Sequence, residues 1–285
     1  MFKFPSTGGA GVTGAPKALL YGESGAGKTT MLARMQSRYG KGLILSLESG
    51  LMSLSSSDIA YVPITSWDGK HDPDAGVYSW RGTCKFVLTD EFRALDFKWI
   101  GVDSLTELAD LCLGHSLECA RAAAEKAGKE MNNFQAYGDY GQWIVGSMKF
   151  IRDLPIPVVV TALCKSQNDE TTFAPSHAPM MKGQAPAAQI PGLFDYVWAL
   201  VRKPEEGGDP ARPRVLRYVV TDEYKGYLAK SRDPRRRLKT VERCDDITQL
   251  FDRASMTDVE YEKHLAALKA VAEVKATPTP TEKKE

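Results

Sequence analysis

The sequence predicts an α/β fold: a mainly parallel, twisted sheet flanked by helices, followed by a C-terminal β-hairpin and a helical tail. Three observations predict it. A short apolar run, Ala18 to Tyr21, leads into Gly22-Glu23-Ser24-Gly25-Ala26-Gly27-Lys28-Thr29-Thr30 and then into the helically spaced MLARMQSRYG. Apolar strand-like runs and helical stretches alternate from there on, which calls for crossover connections and a sheet covered on both faces. Finally, 285 residues at 43% hydrophobic content supply one large core.

Residues 1–16 are rich in Gly, with Ser, Thr and Pro, and read as a flexible arm. Ala18 to Tyr21 is a strand, and Met31 to Gly40 a helix that stops at glycine. KGLILSL reads as a buried strand with Glu48 at its end, and IAYVPI (59–64) as a weaker one. A Gly/Asp/Pro-rich loop follows at 67–76. FKWIGVDS is an apolar strand ending in Asp103. Helical periodicity runs from Leu105 to about Lys129 and again over about 137–152, leading into the strand VVVTAL.

Residues 165–189 are polar, Pro-rich and nearly devoid of large aliphatics, as in a long functional loop. FDYVWALV is a strand, EEGGDPARP a turn, and RVLRYVVTD with YLAK a closing hairpin. One amphipathic helix spans Ser255 to Lys275, with a disordered tail beyond it. The predicted divisions are an arm (1–16), a core (17–243), a helical segment (244–275) and a tail (276–285).

Composition excludes several classes. Lysine and arginine total 37 against 36 acids, a net charge of +1, so bulk electrostatic coating of nucleic acid is not expected. No apolar run reaches the roughly 18 residues of a membrane-spanning helix, and the first residues lack a secretory apolar stretch. No membrane partner is expected. Cys84, Cys112, Cys119, Cys164 and Cys244 are odd in number and form no CxxC pair, and the four histidines are scattered. Neither a disulfide framework nor a zinc site is indicated, and a reducing cytoplasm fits.

Gly22 to Thr29 matches G-x-x-x-x-G-K-[ST] at every fixed position. Its glycines let successive N–H groups point inward around phosphate oxygens, and the following helix adds its positive end. Lys28 would reach the β- and γ-phosphates of a nucleotide such as ATP, and the Thr29 hydroxyl would ligate Mg²⁺. Asp103, at the carboxyl end of a buried strand, faces the same crevice and is the candidate metal-side acid. It is also placed to cap the next helix, a role that Ser104 could supply instead. Glu48 is the candidate for polarising water, or equally a solvated strand-end acid.

The phosphate motif, a strand ending in Glu48, a strand ending in Asp103-Ser104, and Lys230-Ser231-Arg232 after the closing hairpin occur in that order. Together they resemble the RecA-core ATPases, most closely the short phage-encoded ATPases that act as single-strand annealing recombinases. Trp143, IRDLPIPVVVTAL, the segment MMKGQAPAAQIPGLFDYVWALV and YLAKSRDP support the likeness, which covers about residues 17–240. The resemblance implies a RecA-like P-loop core in which Glu48 activates water and Lys230 with Arg232 reach a neighbouring subunit's nucleotide. It also implies a head-to-tail homo-oligomer, ring or filament, acting on single-stranded DNA in an infected bacterial cytoplasm. A single-strand binding protein is a further partner it admits. The family commonly has a polar amide at the end of the strand matching VVVTAL; here Thr161 is the candidate phosphate sensor, or a purely structural threonine.

The resemblance places DNA-contacting loops within 164–189, where Lys165, Gln167, Asn168, Lys182 and Gln184 are candidates and Phe173 is the one aromatic. Residues 230–243 hold seven basic side chains against Asp233 and Glu242, a local +5. Arg235, Arg236 and Arg237 in that run are candidate nucleic-acid contacts, a subunit interface, or a solvated face. Phe2 and Phe4 of the arm could dock on a neighbour. The leading expectation is a Mg²⁺-dependent ATPase that oligomerises on single-stranded DNA and promotes annealing. A hexameric DNA translocase and a nucleotide-gated protein loader share the same motifs.

Overall fold

Strand β1 (Lys17–Gly22) is buried along its whole length at the middle of the sheet. The computed structural model describes residues 14–48, 50–168, 174–205 and 214–276. Phe2, Phe4, Phe173, most of the 205–213 turn and the tail beyond 276 fall outside those residues. In chain order, β1 is followed by α1 (Lys28–Tyr39), β2 (Gly42–Ser46), β3 (Ala60–Ser66), β4 (Tyr78–Ser79), α2 (Trp80–Val87), α3 (Asp90–Ala94) and β5 (Trp99–Asp103). Then come α4 (Leu105–Ala127), α5 (Asn133–Asp153), β6 (Val158–Asn168), β7 (Pro175–Pro179), α6 (Gln184–Gln189) and β8 (Tyr196–Pro204). The chain closes with β9 (Val215–Val220), β10 (Lys230–Ser231), β11 (Val241–Arg243), α7 (Ile247–Ser255) and α8 (Asp258–Ala276).

The strand order is β11-β9-β8-β1-β6-β5-β2-β3-β4, with β10 on β8 and β7 on β6. From β8 through β4 neighbours run parallel, whereas β9 and β11 are antiparallel additions at one edge. Successive strand residues point to opposite faces, and β1 shows it. Leu19 and Tyr21 join a cluster with Leu105 and Leu108 of α4 and with Ile144 and Met148 of α5. Ala18 and Leu20 join Met31 and Leu32 of α1, Trp99, Trp198 and Phe251 on the other face. The parallel α/β class is as the sequence predicts.

Three expectations need correction. The stretch after the 67–76 loop holds β4, α2 and α3, capped by the Ser79 and Thr89 hydroxyls; short helices leave little periodicity to read. The long loop at 165–189 is largely ordered. Strand β6 continues to Asn168 and pairs antiparallel with β7, Cys164 opposite Pro179, and α6 follows. The terminal hairpin is β8–β9, while the Lys230 segment pairs with β8 and not with β9. The helix expected over 255–275 is α8, and a separate helix, α7, precedes it. Thr257 starts α8: its N–H and hydroxyl both donate to Glu260 Oε2, at 2.8 Å each, and the Glu260 N–H donates back to Thr257 Oγ1 at 3.3 Å. This is the reciprocal Thr-x-x-Glu cap.

Helix α7 buries Ile247, Leu250, Phe251 and Ala254 in the core, with Phe251 stacked on Trp198 at 5.0 Å between centroids. Helix α8 is largely exposed over its described side chains. No helix among the described residues is long and apolar enough to cross a membrane.

Candidate phosphate site

The phosphate motif leaves the carboxyl end of β1 and turns directly into α1. Gly27 is the residue before that helix, in the left-handed region at φ 96°, where a side chain would be strained. No side chain caps α1, so its first N–H groups stay directed at whatever the loop holds. A Cβ at Gly22 would meet the Leu200 carbonyl oxygen at 2.5 Å. Lys28 is buried and folded back on its own loop, donating to the Gly22 and Glu23 carbonyls at 3.0 Å each. Burial pushes its ammonium below the ordinary lysine value, while Glu48 and Asp103 oppose that shift. Glu23, Ser24, Gly25, Ala26, Thr29 and Thr30 complete the loop and first helical turn.

Asp103 ends β5 and is 2% exposed. Its Oδ2 accepts from the Thr29 hydroxyl at 2.8 Å, and its Oδ1 accepts from the Thr161 hydroxyl. The helix cap belongs to Ser104, whose hydroxyl accepts from the Glu107 N–H. The Asp103–Ser104 peptide bond is cis. Thr161 lies mid-strand on β6, opposite Leu20 of β1 and fully buried. Its hydroxyl therefore engages Asp103 instead of lying at the mouth of the loop. A lone strand threonine carried no sequence signal for that pairing.

Glu48 follows β2, whose Ser46 pairs with Asp103 of β5. Its N–H donates to the Asp103 carbonyl at 3.2 Å, and its Oε1 accepts from the Ser104 hydroxyl. Ser104 thus fixes Glu48 and caps α4 at once. The structure brings Lys28, Thr29, Glu48 and Asp103 to one end of the sheet. Threonine and carboxylate oxygens are the hard donors that Mg²⁺ takes, so this donor set fits that ion.

Lys230 and Arg232 lie elsewhere. Lys230 pairs with Val197, which pairs with Leu19, three residues short of Gly22 and ~10 Å back along the strand. Its ammonium donates to the Gly192 carbonyl at 3.3 Å, and Arg232 pairs with Asp195 at 3.1 Å while 72% exposed. Burial, then Arg232, lowers the Lys230 pKa. Arg237 pairs with Asp258 and lies 4.2 Å over the Tyr261 ring; Arg235 donates to the Met256 carbonyl at 3.1 Å. Both anchor the start of α8. Arg236 is exposed in a turn. Lys165 and Gln167 share one face of the β6 extension, whereas Lys182, 3.7 Å from Asp110, and Gln184 precede and open α6.

Two arginines absent from the sequence reading lie against the phosphate loop: Arg202 of β8 donates to the Gly25 carbonyl, and Arg217 of β9 packs on Gly27. Beside them a cleft of about 410 Å³ is bounded by Glu23, Ser24, Cys164, Arg202 and Tyr227.

No curated protein matches the sequence. Among solved structures, a KaiC-like protein from the archaeon Pyrococcus horikoshii OT3 is similar at 16% identity, covering 79% of this chain and 85% of that one, with a TM-score of 0.39. A RadB recombinase is similar at 15% identity over 73% and 81%, with a TM-score of 0.35. The flagellar accessory protein FlaH from Methanocaldococcus jannaschii is similar at 12% over 75% and 83%, with a TM-score of 0.33. Residues 15–233 match the family described as AAA domain, from the strand before the phosphate loop to just past Arg232. With its phosphate loop, buried strand-end acid and mainly parallel sheet, the chain belongs to this AAA domain family.

Proposed function

We propose that the protein binds and hydrolyses ATP with Mg²⁺, and that it assembles head to tail on single-stranded DNA to promote annealing or recombination. The observation that carries the catalytic half is the linked set Thr29–Asp103–Thr161, with Glu48 held beside it by Ser104. The loop N–H groups and Lys28 bind the triphosphate, Lys28 leaving the Gly22 and Glu23 carbonyls for phosphate oxygens. Thr29 and Asp103 hold the metal, which when bound neutralises charge on the phosphates. Glu48 orients water and takes its proton as the water oxygen attacks the γ-phosphorus and the bond to the β-phosphate oxygen breaks.

Thr161 fixes the Asp103 carboxylate and acts as a positioning residue. Lys230 and Arg232 are too far along the sheet to serve their own loop, which supports their acting on a neighbour's nucleotide. The β6–β7 hairpin, with Lys165 and Gln167, is the surface offered to single-stranded DNA, and exposed Arg236 a second contact. Binding of a fluorescent single-stranded oligonucleotide with and without a slowly hydrolysed ATP analogue tests this. Tighter binding with the analogue is expected, and equal binding in both conditions would sink the DNA half. Glu48→Gln is expected to abolish phosphate release while nucleotide binding persists; undiminished release would remove Glu48 from the mechanism.

A further inference from the structure

The β8–β9 hairpin brings two cations onto the phosphate loop of its own chain. Arg202 and Arg217 are direct cross-strand partners. Directly opposed residues share one face of a sheet, and like charges there are destabilising. Both guanidinium groups nevertheless lie on the loop backbone. Arg202 Nη1 donates to the Gly25 carbonyl. Arg217 Nε stands 2.7 Å from where a Cβ on Gly27 would be. That Nε is buried and has no hydrogen-bond partner among the described residues, a costly condition for a charged group. Asp245 answers only part of the charge, with Oδ1 3.4 Å from Arg217 Nη1.

Two opposed cations and one unanswered N–H, beside a loop whose backbone is arranged for anions, call for an anionic occupant. We propose that Arg217 contacts the polyphosphate of the bound nucleotide in cis, and that Arg202 is a positioning residue holding the loop through Gly25. Asp245 is then a competing counter-ion that holds Arg217 when no nucleotide is present. The inference rests on the nucleotide-binding reading above. It adds a cation from the subunit's own chain to any supplied by a neighbour.

Calorimetric titration of the full chain with a slowly hydrolysed ATP analogue and Mg²⁺ tests the assignment. Arg217→Ala is expected to weaken binding by about ten-fold or more, as for loss of one charge-assisted hydrogen bond. Arg217→Lys, which keeps the charge, should recover part of that loss, and thermal melting of each variant reports folding. Asp245→Asn separates the proposal from a purely structural ion pair. Freed from its competitor, Arg217 should bind the analogue more tightly than in the wild type. If Asp245→Asn and Arg217→Ala weaken binding alike, the pair is structural and the proposal is overturned. Wild-type affinity in Arg217→Ala, with binding lost in Lys28→Ala, overturns this proposal alone. Absence of binding by the wild type overturns the nucleotide reading and this inference with it.

Discussion

Asp103 shows what one buried carboxylate requires. Two hydroxyls, one from each neighbouring element, occupy its two oxygens, and a charged acceptor stripped of a donor costs about 1.5–3 kcal/mol. Thr161→Val should therefore lower ATP turnover by roughly ten-fold or more and raise the Mg²⁺ concentration at half-maximal rate, since only Thr29 still fixes the carboxylate. Steady-state kinetics across a magnesium series checks this; an unchanged magnesium requirement would limit Thr161 to packing. Lys17 offers a second test. It opens β1 and is buried, its ammonium donating to the Leu154 and Ile156 carbonyls, and burial lowers its pKa to about 8. Its folded pKa lies below the unfolded value, so between about pH 8 and pH 10.5 the unfolded chain binds more protons and stability rises with pH. Urea denaturation across that window should show a rise of at most about 3 kcal/mol that Lys17→Met lacks.

At the scale of elements, helix α7 is a wedge on one sheet face. Phe251 stacks on Trp198 within a fully apolar cluster, so Phe251→Ala should cost ~3–5 kcal/mol in denaturant unfolding. A cost below 1 kcal/mol would mean that α7 is peripheral. Helix α8 is attached differently, by Arg237 and Arg235 at its first turn. Asp258→Ala should release that end, exposing amides of 258–262 to faster hydrogen exchange with little change in global stability. Legibility followed length and periodicity. Strands β1, β2 and β5 and helices α1, α4 and α5 were readable because both their patterns and their lengths are strong. Helices α2, α3 and α6 were not, being too short to repeat a face. The β6–β7 hairpin was hidden because its exposed and half-buried strand residues are mostly polar or proline, the composition of a loop.

Across the whole molecule, the candidate residues fall toward two ends of the sheet. Lys28, Glu48 and Asp103 cluster at the carboxyl end, while Lys230 and Arg232 sit toward the other. A finger supplied to a neighbour predicts complementation. Lys28→Ala and Arg232→Ala proteins, each inactive alone, should regain part of the ATPase rate when mixed, because a mixed interface joins an intact loop to an intact finger. No gain on mixing, with both proteins folded, would place Arg232 outside the reaction. The net charge of +1 is spread with the same logic. Part of the 230–243 basic run is neutralised within the chain, Arg232 by Asp195 and Arg235 with Arg237 by Asp258, while Arg236, Lys239 and Arg243 stay exposed. The β8–β9 arginines form a second positive surface, on the phosphate loop itself.

The sequence by itself determined the α/β class, the phosphate loop and the candidacy of Asp103 and Glu48, because each depends on local pattern: apolar runs, glycine spacing, an acid at a strand end. Tertiary structure alone decided how those groups are held. Thr161, Ser104, Arg202 and Arg217 reach the site across strand pairings between residues far apart in the chain. Such partners leave no local spacing to read, since strand order and register set them, and these follow from packing the whole core.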